Sequence, residues 1–179
     1  MATALVLLAD GFEEIEAVTI IDVLRRADVV VTTASLAGPR VTGSHQISVE
    51  ADALLDAIAV ESFDALVLPG GPGAKTLRED ARAQATIKRA AAAGKVLAAV
   101  CAAPTALDAA GVLAGKRATS YPGNPLPSAS WVQESVVIDG NVITSRGPGT
   151  TMAFALAVVE RLRGAEVANT TAERLLFAR

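Results

Sequence analysis

Short apolar segments alternate with amphipathic helical segments along this chain, and the alternation limits the folds that it can adopt. Four segments have the length and apolar character of buried strands: residues 4–9, 29–34, 65–68 and 96–100. Four others have helical periodicity: residues 13–26, 84–93, 150–163 and 165–176. Because strands that alternate with helices pair in parallel, this order predicts an α/β protein with helices on both faces of a mostly parallel sheet.

Turn and capping residues mark where several of these elements begin or end. Asp139 and Gly140 lie between two apolar runs in residues 136–145, a pattern typical of a β-hairpin. Thr150 is a capping residue at the predicted start of one helix, and Gly164 is a natural stop at its end. The hairpin is the one antiparallel feature that we expect in the sheet.

The composition of the chain limits the class of protein, the partners and the cellular compartment that we expect. With 179 residues, of which 51% are apolar, the chain is long enough for one core, and we expect a single domain over residues 1–179. A net charge of −3 gives no reason to expect nucleic acid or an anionic membrane as a partner. The first apolar segment ends at Asp10 and predicts a strand, not a signal peptide, and no apolar run approaches the roughly 18 residues that cross a bilayer. A single cysteine fits a reducing compartment, so we expect a cytoplasmic protein.

That cysteine, Cys101, occupies a position typical of a nucleophile. It follows the strand-like segment 96–100 and precedes Pro104, which suits the first turn of a helix. A tight turn between strand and helix needs small residues nearby, and Ala99 and Ala103 provide them. N–H groups at the start of the helix would favour the thiolate form. The alternative is a small buried cysteine without a chemical role.

Glu16 is the second candidate. It lies one turn before Ile20 on the apolar stripe of the first predicted helix, whereas Glu13 and Glu14 are interpreted as first-turn acids that suit the helix dipole. Burial would raise the pKa of Glu16, and a neutral carboxylic acid can donate a hydrogen bond to a thiolate or move a proton. The alternative is a carboxylate at the rim of the core.

Glycine-rich segments follow two of the predicted strands. Gly70 and Gly71 come after segment 65–68, and their backbone N–H groups could form an oxyanion site with that of Ala102. A second loop carries Arg146 and is interpreted as a tight turn, with a wall of the site as the alternative. His45, the only histidine, lies in a polar loop and is more typical of a solvated surface residue. One histidine and one cysteine without paired spacing predict no metal site.

Together these segments resemble the ThiJ/PfpI superfamily, and within it the branch of the parkinsonism-associated protein and its bacterial relatives. Four motifs carry the resemblance, in family order and across nearly the whole chain: residues 9–18 (ADGFEEIEAV), 67–71 (VLPGG), 98–105 (AAVCAAPT) and 144–150 (TSRGPGT). The resemblance implies a flavodoxin-like three-layer sandwich of the class I glutamine amidotransferase type, and a homodimer. It also implies a reactive nucleophile at Cys101, a protonated partner at Glu16, and backbone donors at Gly70, Gly71 and Ala102.

The chain departs from the family pattern at three positions. Where the family often has histidine before a proline, this chain has Tyr121, so histidine-dependent base catalysis is not expected and Tyr121 would shape the pocket. Where an arginine can approach the site of the dimer mate, the chain has His45, which could therefore meet the partner's pocket. Ala102 stands where the protease-type branch has histidine, which argues against peptidase activity.

Three functions are compatible with these residues. The first is detoxification of reactive carbonyls, a glyoxalase or deglycase activity on methylglyoxal and its adducts, with Cys101 as nucleophile, Glu16 as proton shuttle and no cofactor. The second is a redox-sensing stress-response protein, or a holdase chaperone, whose Cys101 is oxidised under oxidative stress. The third is a hydrolase or hydratase for a small compound such as an isonitrile or a cyclic imide.

Overall fold

A seven-stranded sheet forms the centre of the protein in a computed structural model that describes residues 1–178. The strands are β1 (Thr3–Leu8), β2 (Val30–Ser35), β3 (Arg40–Thr42), β4 (Ser48–Glu50), β5 (Ala53–Leu54), β6 (Ala65–Leu68), β7 (Val96–Val100), β8 (Arg117–Ala118), β9 (Ser130–Trp131), β10 (Val136–Asp139) and β11 (Val142–Ser145). The helices are α1 (Glu14–Arg26), α2 (Ala74–Glu79), α3 (Ala81–Ala92), α4 (Pro104–Ala109), α5 (Thr151–Arg163) and α6 (Ala165–Arg174).

The strand order of the sheet is β10-β11-β7-β6-β1-β2-β5, and every neighbouring pair is parallel except the predicted hairpin of β10 and β11. The four central strands are buried along almost their whole length, as strands covered on both faces must be. Two short strand pairs lie outside this sheet: β3 with β4, which is antiparallel, and β8 with β9, which is parallel. The predicted mostly parallel sheet is therefore confirmed.

Two apolar clusters cover the two faces of the sheet. Alternate residues of β1 belong to different clusters, because successive side chains of a strand point to opposite faces. One cluster joins the sheet to α1, α5 and α6, and the other joins it to α2, α3 and α4. Three layers result, and they form the flavodoxin-like α/β sandwich that the sequence predicts.

Helix ends differ from the prediction at two places. The helix predicted over residues 84–93 begins at Ala81, because the Asp80 carboxylate accepts hydrogen bonds from the backbone N–H groups of Arg82 and Ala83. Thr150 was predicted to cap α5, and that prediction is wrong: its hydroxyl instead contacts Ser145 and Gly147 within the preceding turn. The short helix α2 was not predicted at all.

The carboxyl ends of the parallel strands meet at one edge of the sheet. Strands β1, β6, β7 and β11 are followed there by the loops that begin at Ala9, Pro69, Cys101 and Arg146. Sites in open parallel sheets form at this edge. Among residues 1–178, no helix is both long and apolar enough to cross a membrane.

Candidate active site

Cys101 lies in a strained turn between β7 and α4. Its φ angle is 63°, in the left-handed region that residues other than glycine rarely adopt. Two backbone hydrogen bonds hold it there: its N–H donates to the carbonyl of Ser145 at 3.0 Å, and its own carbonyl accepts from the N–H of Tyr121 at 2.8 Å. Ala99 and Ala103 beside it are fully buried, as the tight turn requires. Such strain persists where the surrounding structure enforces it, and it is common at active sites.

Glu16 is completely buried in the first turn of α1. Its Oε2 accepts a hydrogen bond of 2.7 Å from the backbone N–H of Gly70. Its Oε1 has no hydrogen-bond partner among residues 1–178, and the Cys101 thiol is close enough to Glu16 for each group to shift the pKa of the other. The inward orientation that the helical periodicity predicts is therefore observed.

Gly70 separates the two groups and leaves no room for a side chain. A Cβ atom at this position would lie 2.6 Å from the Cys101 Cβ and 2.8 Å from Glu16 Oε2. The prediction that Gly70 supplies an oxyanion donor is wrong, because its single N–H is already donated to Glu16. The N–H groups of Gly71 and Ala102 lower the pKa of the Cys101 thiol, and their role as oxyanion donors stays a prediction.

The pKa values of Glu16 and Cys101 are both raised. Burial raises the pKa of Glu16 to about 7, although the N–H of Gly70 and the contact with Cys101 oppose the shift. Burial and the nearby Glu16 charge raise the pKa of the Cys101 thiol to about 12, against the N–H groups of Gly71 and Ala102. The expectation that backbone donors alone would give a thiolate is therefore wrong, because it left out burial and the carboxylate.

The two groups titrate as a pair. A pKa of about 12 applies to a thiol beside an ionised carboxylate. When the proton is on Glu16, the carboxyl group has no charge and its O–H can donate to the sulfur, so its effect on the thiol is reversed. The pair therefore loses its first proton near pH 7 or below, from whichever group gives the lower energy. The sulfur and the carboxyl oxygen can therefore exchange a proton as the pair titrates.

Glu13 and Glu14 lie at the start of α1, as predicted, and they make contacts beyond that with the helix dipole. Both are buried, and Glu13 caps α1 by accepting a hydrogen bond of 2.8 Å from the N–H of Glu16. Glu14 accepts bonds from the backbone N–H of His45 at 2.6 Å and from its Nδ1 at 3.0 Å. Burial raises the pKa of Glu14, but the bonds from His45 and from the backbone outweigh it and lower that pKa to about 2. These contacts span some thirty residues, so no local pattern signals them.

His45 is far more exposed than its partner. Its side chain is 74% exposed, as expected for a surface residue, and it is the outer member of the pair with Glu14. Ligand atoms of Glu13, Glu14 and His45 lie within 4.8 Å of one another, the one such grouping among residues 1–178. Glu13 and Glu14 already accept backbone hydrogen bonds there, and the grouping holds the loop to α1. Its approach to a partner subunit stays a prediction.

Tyr121 and Arg146 line a cavity whose walls are joined by backbone contacts to the Cys101 turn. The Tyr121 ring is half exposed and lies against the backbone of Gly147, where an added Cβ would be 3.2 Å from the ring. A cavity of about 270 Å³ is lined by Tyr121, Pro122 and the loop from Arg146 to Thr150. A larger one of about 390 Å³ on the other side of Tyr121 is lined by residues 121–127 and Trp131. Trp131 was not identified from the sequence, because it lies in a short strand without a periodic pattern.

The comparison with known proteins agrees with this geometry. The model of the DJ-1/PfpI family matches residues 2–161. Protein dj-1beta of Drosophila melanogaster is 42% identical over 182 residues, covering 98% of this chain and 97% of that protein, and its crystal structure matches with a TM-score of 0.95 over 99% of both chains. A protein of Pyrococcus abyssi named a deglycase is 37% identical over 163 residues, covering 89% of this chain and 98% of that protein.

A structure of oxidized DJ-1 from Toxoplasma gondii is 38% identical over the full length of both chains, with a TM-score of 0.92. The chain that carries the Cys101 turn and the buried Glu16 thus resembles these proteins from end to end. The chain belongs to the DJ-1/PfpI family.

Proposed function

We propose that this protein is a cysteine-dependent enzyme that detoxifies reactive carbonyl compounds, acting on methylglyoxal and on its adducts with thiols and amines. The observation that carries the proposal is the buried Glu16 carboxyl group close to the Cys101 thiol, with the pKa of both groups raised. Addition of a thiol to an aldehyde needs a thiolate and a nearby acid, and this pair can supply both at neutral pH. The name of the Pyrococcus abyssi relative agrees with a deglycase activity.

The reaction begins with attack of the Cys101 sulfur on the aldehyde carbon of methylglyoxal. Glu16 gives its proton to the aldehyde oxygen, and a hemithioacetal forms. The Glu16 carboxylate then removes the hydrogen from the former aldehyde carbon and returns it to the neighbouring carbon, which yields a lactoyl thioester. Water hydrolyses the thioester to lactate and restores the thiol–carboxyl pair. The sum is methylglyoxal plus water giving lactate, with no change in the protein.

Turnover of methylglyoxal by the purified protein tests the proposal. We expect lactate from the wild type and none above background from Cys101→Ala, with loss of most activity in Glu16→Gln because an amide cannot accept and return a proton. Lys75→Ala, on the outside of α2, is a control that leaves the pair intact. Equal lactate production by the wild type and Cys101→Ala would remove the basis of the proposal.

A redox-sensing function is the second candidate, and the surroundings of the sulfur favour it. The N–H groups of Gly71 and Ala102 and the Glu16 carboxyl group face the sulfur, and they would stabilise the oxygens of a sulfinate there. Mass spectrometry after mild peroxide treatment tests this function. A stable gain of two oxygens at Cys101 supports it, and a cysteine that stays reduced or is oxidised only with unfolding contradicts it.

A further inference from the structure

Within residues 1–178, Arg146 has a guanidinium nitrogen without a partner. Its Nε is fully buried and has no hydrogen-bond partner among residues 1–178. More exposed arginines, such as Arg82, Arg89 and Arg117, each pair with a carboxylate. A guanidinium is always charged, and a donor that is kept from both water and protein acceptors is costly. A half-buried arginine left in this state is therefore suited to an acceptor that the chain itself does not supply.

The backbone places Arg146 next to Cys101. Arg146 directly follows Ser145, whose carbonyl accepts the N–H of Cys101 at 3.0 Å. Tyr121, whose N–H donates to the Cys101 carbonyl, forms another wall of the 270 Å³ cavity that Arg146 lines. The loops that line the cavity are thus joined to the Cys101 turn through two short backbone contacts.

We propose that Arg146 binds an oxyanion carried by the substrate, a carboxylate or a phosphate group attached to the reactive carbonyl compound. The guanidinium matches either group, because its donors form a planar fork that fits two oxygens at once. The preferred substrates are then anionic 2-oxoaldehydes or anionic adducts, in preference to neutral methylglyoxal. This inference rests on the proposed function for the identity of the reacting group.

Charge-dependent labelling tests the site without any turnover. Iodoacetate and iodoacetamide alkylate a thiolate in the same way, with loss of iodide, but only iodoacetate is an anion. We expect Arg146→Met to lower the ratio of the two alkylation rates at Cys101 about threefold to tenfold, because the nearby positive charge is removed. Arg163→Met, at the far end of α5, removes the same charge from the protein and leaves the ratio unchanged. An unchanged ratio in Arg146→Met overturns the inference.

Turnover separates the two sources of the oxyanion. Three 2-oxoaldehydes are compared: neutral methylglyoxal, 4,5-dioxovalerate with a carboxylate, and hydroxypyruvaldehyde phosphate. Each gives a 2-hydroxy acid with uptake of one water. We expect Arg146→Met to lower kcat/KM for one or both anions about 10- to 100-fold more than for methylglyoxal, the effect of losing a charge-assisted hydrogen-bond pair. Equal losses on all three substrates contradict the inference.

Two further outcomes are distinguishable. If the wild type turns over none of the three aldehydes while the alkylation ratio falls in Arg146→Met, the proposed function fails and the oxyanion site stands. If thermal unfolding shows that Arg146→Met does not fold, Arg146→Lys replaces it as the test variant. Lysine keeps the positive charge but lacks the planar fork of donors. We therefore expect the wild-type alkylation ratio and a reduced preference for the anionic substrates. If Arg146→Lys keeps the full preference for anionic over neutral substrates, bidentate binding of the oxyanion by the guanidinium is contradicted.

Discussion

Replacing Glu16 by leucine reveals which group of the pair holds the shared proton. If the proton is on Glu16, the thiolate accepts hydrogen bonds from Gly71, Ala102 and the Glu16 O–H, and the substitution removes one of these three donors. A hydrogen bond to a charged group contributes about 1.5–3 kcal/mol, and a pKa unit corresponds to about 1.4 kcal/mol. We therefore expect Glu16→Leu to raise the pKa of Cys101 by about one to two units.

The opposite arrangement predicts a shift of the opposite sign. If Glu16 is the ionised member, its charge opposes ionisation of the sulfur, and at about 4 Å in an effective dielectric of about 20 this repulsion amounts to about 4 kcal/mol. Removing the carboxylate would then lower the pKa of Cys101 by about three units. The sign of the change thus separates the two states, whatever its size.

The measurement is the rate of alkylation of Cys101 by iodoacetamide as a function of pH. Cys101 is the only cysteine, so no other thiol contributes to the signal. Glu16→Gln keeps a weaker donor and should shift the profile less than Glu16→Leu, and Glu166→Gln at the start of α6 is a control for net charge. A pKa that falls in Glu16→Leu would refute a neutral Glu16, and with it the acid step of the proposed mechanism.

The remaining predictions concern the packing at Gly70, the backbone strain at Cys101 and the loss of stability at low pH. Gly70→Ala should abolish activity and lower the free energy of unfolding by about 1–3 kcal/mol, because a methyl group at Gly70 would overlap Cys101 and Glu16; a denaturant titration that matches the wild type would contradict it. Cys101→Gly should be more stable than Cys101→Ala by about 1 kcal/mol, since the φ angle of 63° strains alanine but not glycine, and thermal unfolding of the two variants compares them directly. Glu14 has a pKa of about 2 in the folded protein, below the 4.5 of an unperturbed glutamate, so its stabilising effect is present above pH 4.5 and is lost as the pH falls towards 2. Glu14→Gln should therefore flatten the decline of stability over that interval, and an unchanged decline would show that other carboxylates cause it.

The sequence predicts the sheet and the position of Cys101 well, because both depend on local patterns. Buried strands are marked by their apolar runs, and the turn at Cys101 by alanines and a proline within four residues. Glu16 could be placed on the inner face of α1 from its spacing to Ile20. Each of these inferences uses only neighbours along the chain.

What the sequence did not predict depends on contacts between distant segments. The N–H of Gly70 is taken by Glu16, 54 residues away, and this could not be known before the loop and the helix were packed together. The same holds for Glu14, whose partners lie in the loop that carries His45. The raised pKa that Cys101 has beside an ionised Glu16 could not be predicted for the same reason, since burial and the neighbouring carboxylate are properties of the packed molecule.

The reactive pair joins the two sides of the sandwich. Glu16 comes from a helix that packs on one face of the sheet, and the turn at Cys101 leads into a helix that packs on the other. Loosening of either layer separates the carboxyl group from the sulfur, and the thiol then becomes an ordinary exposed one. The reactivity of the Cys101 sulfur therefore depends on the folding of both helical layers. We expect heat or denaturant to abolish this reactivity before the sheet itself unfolds.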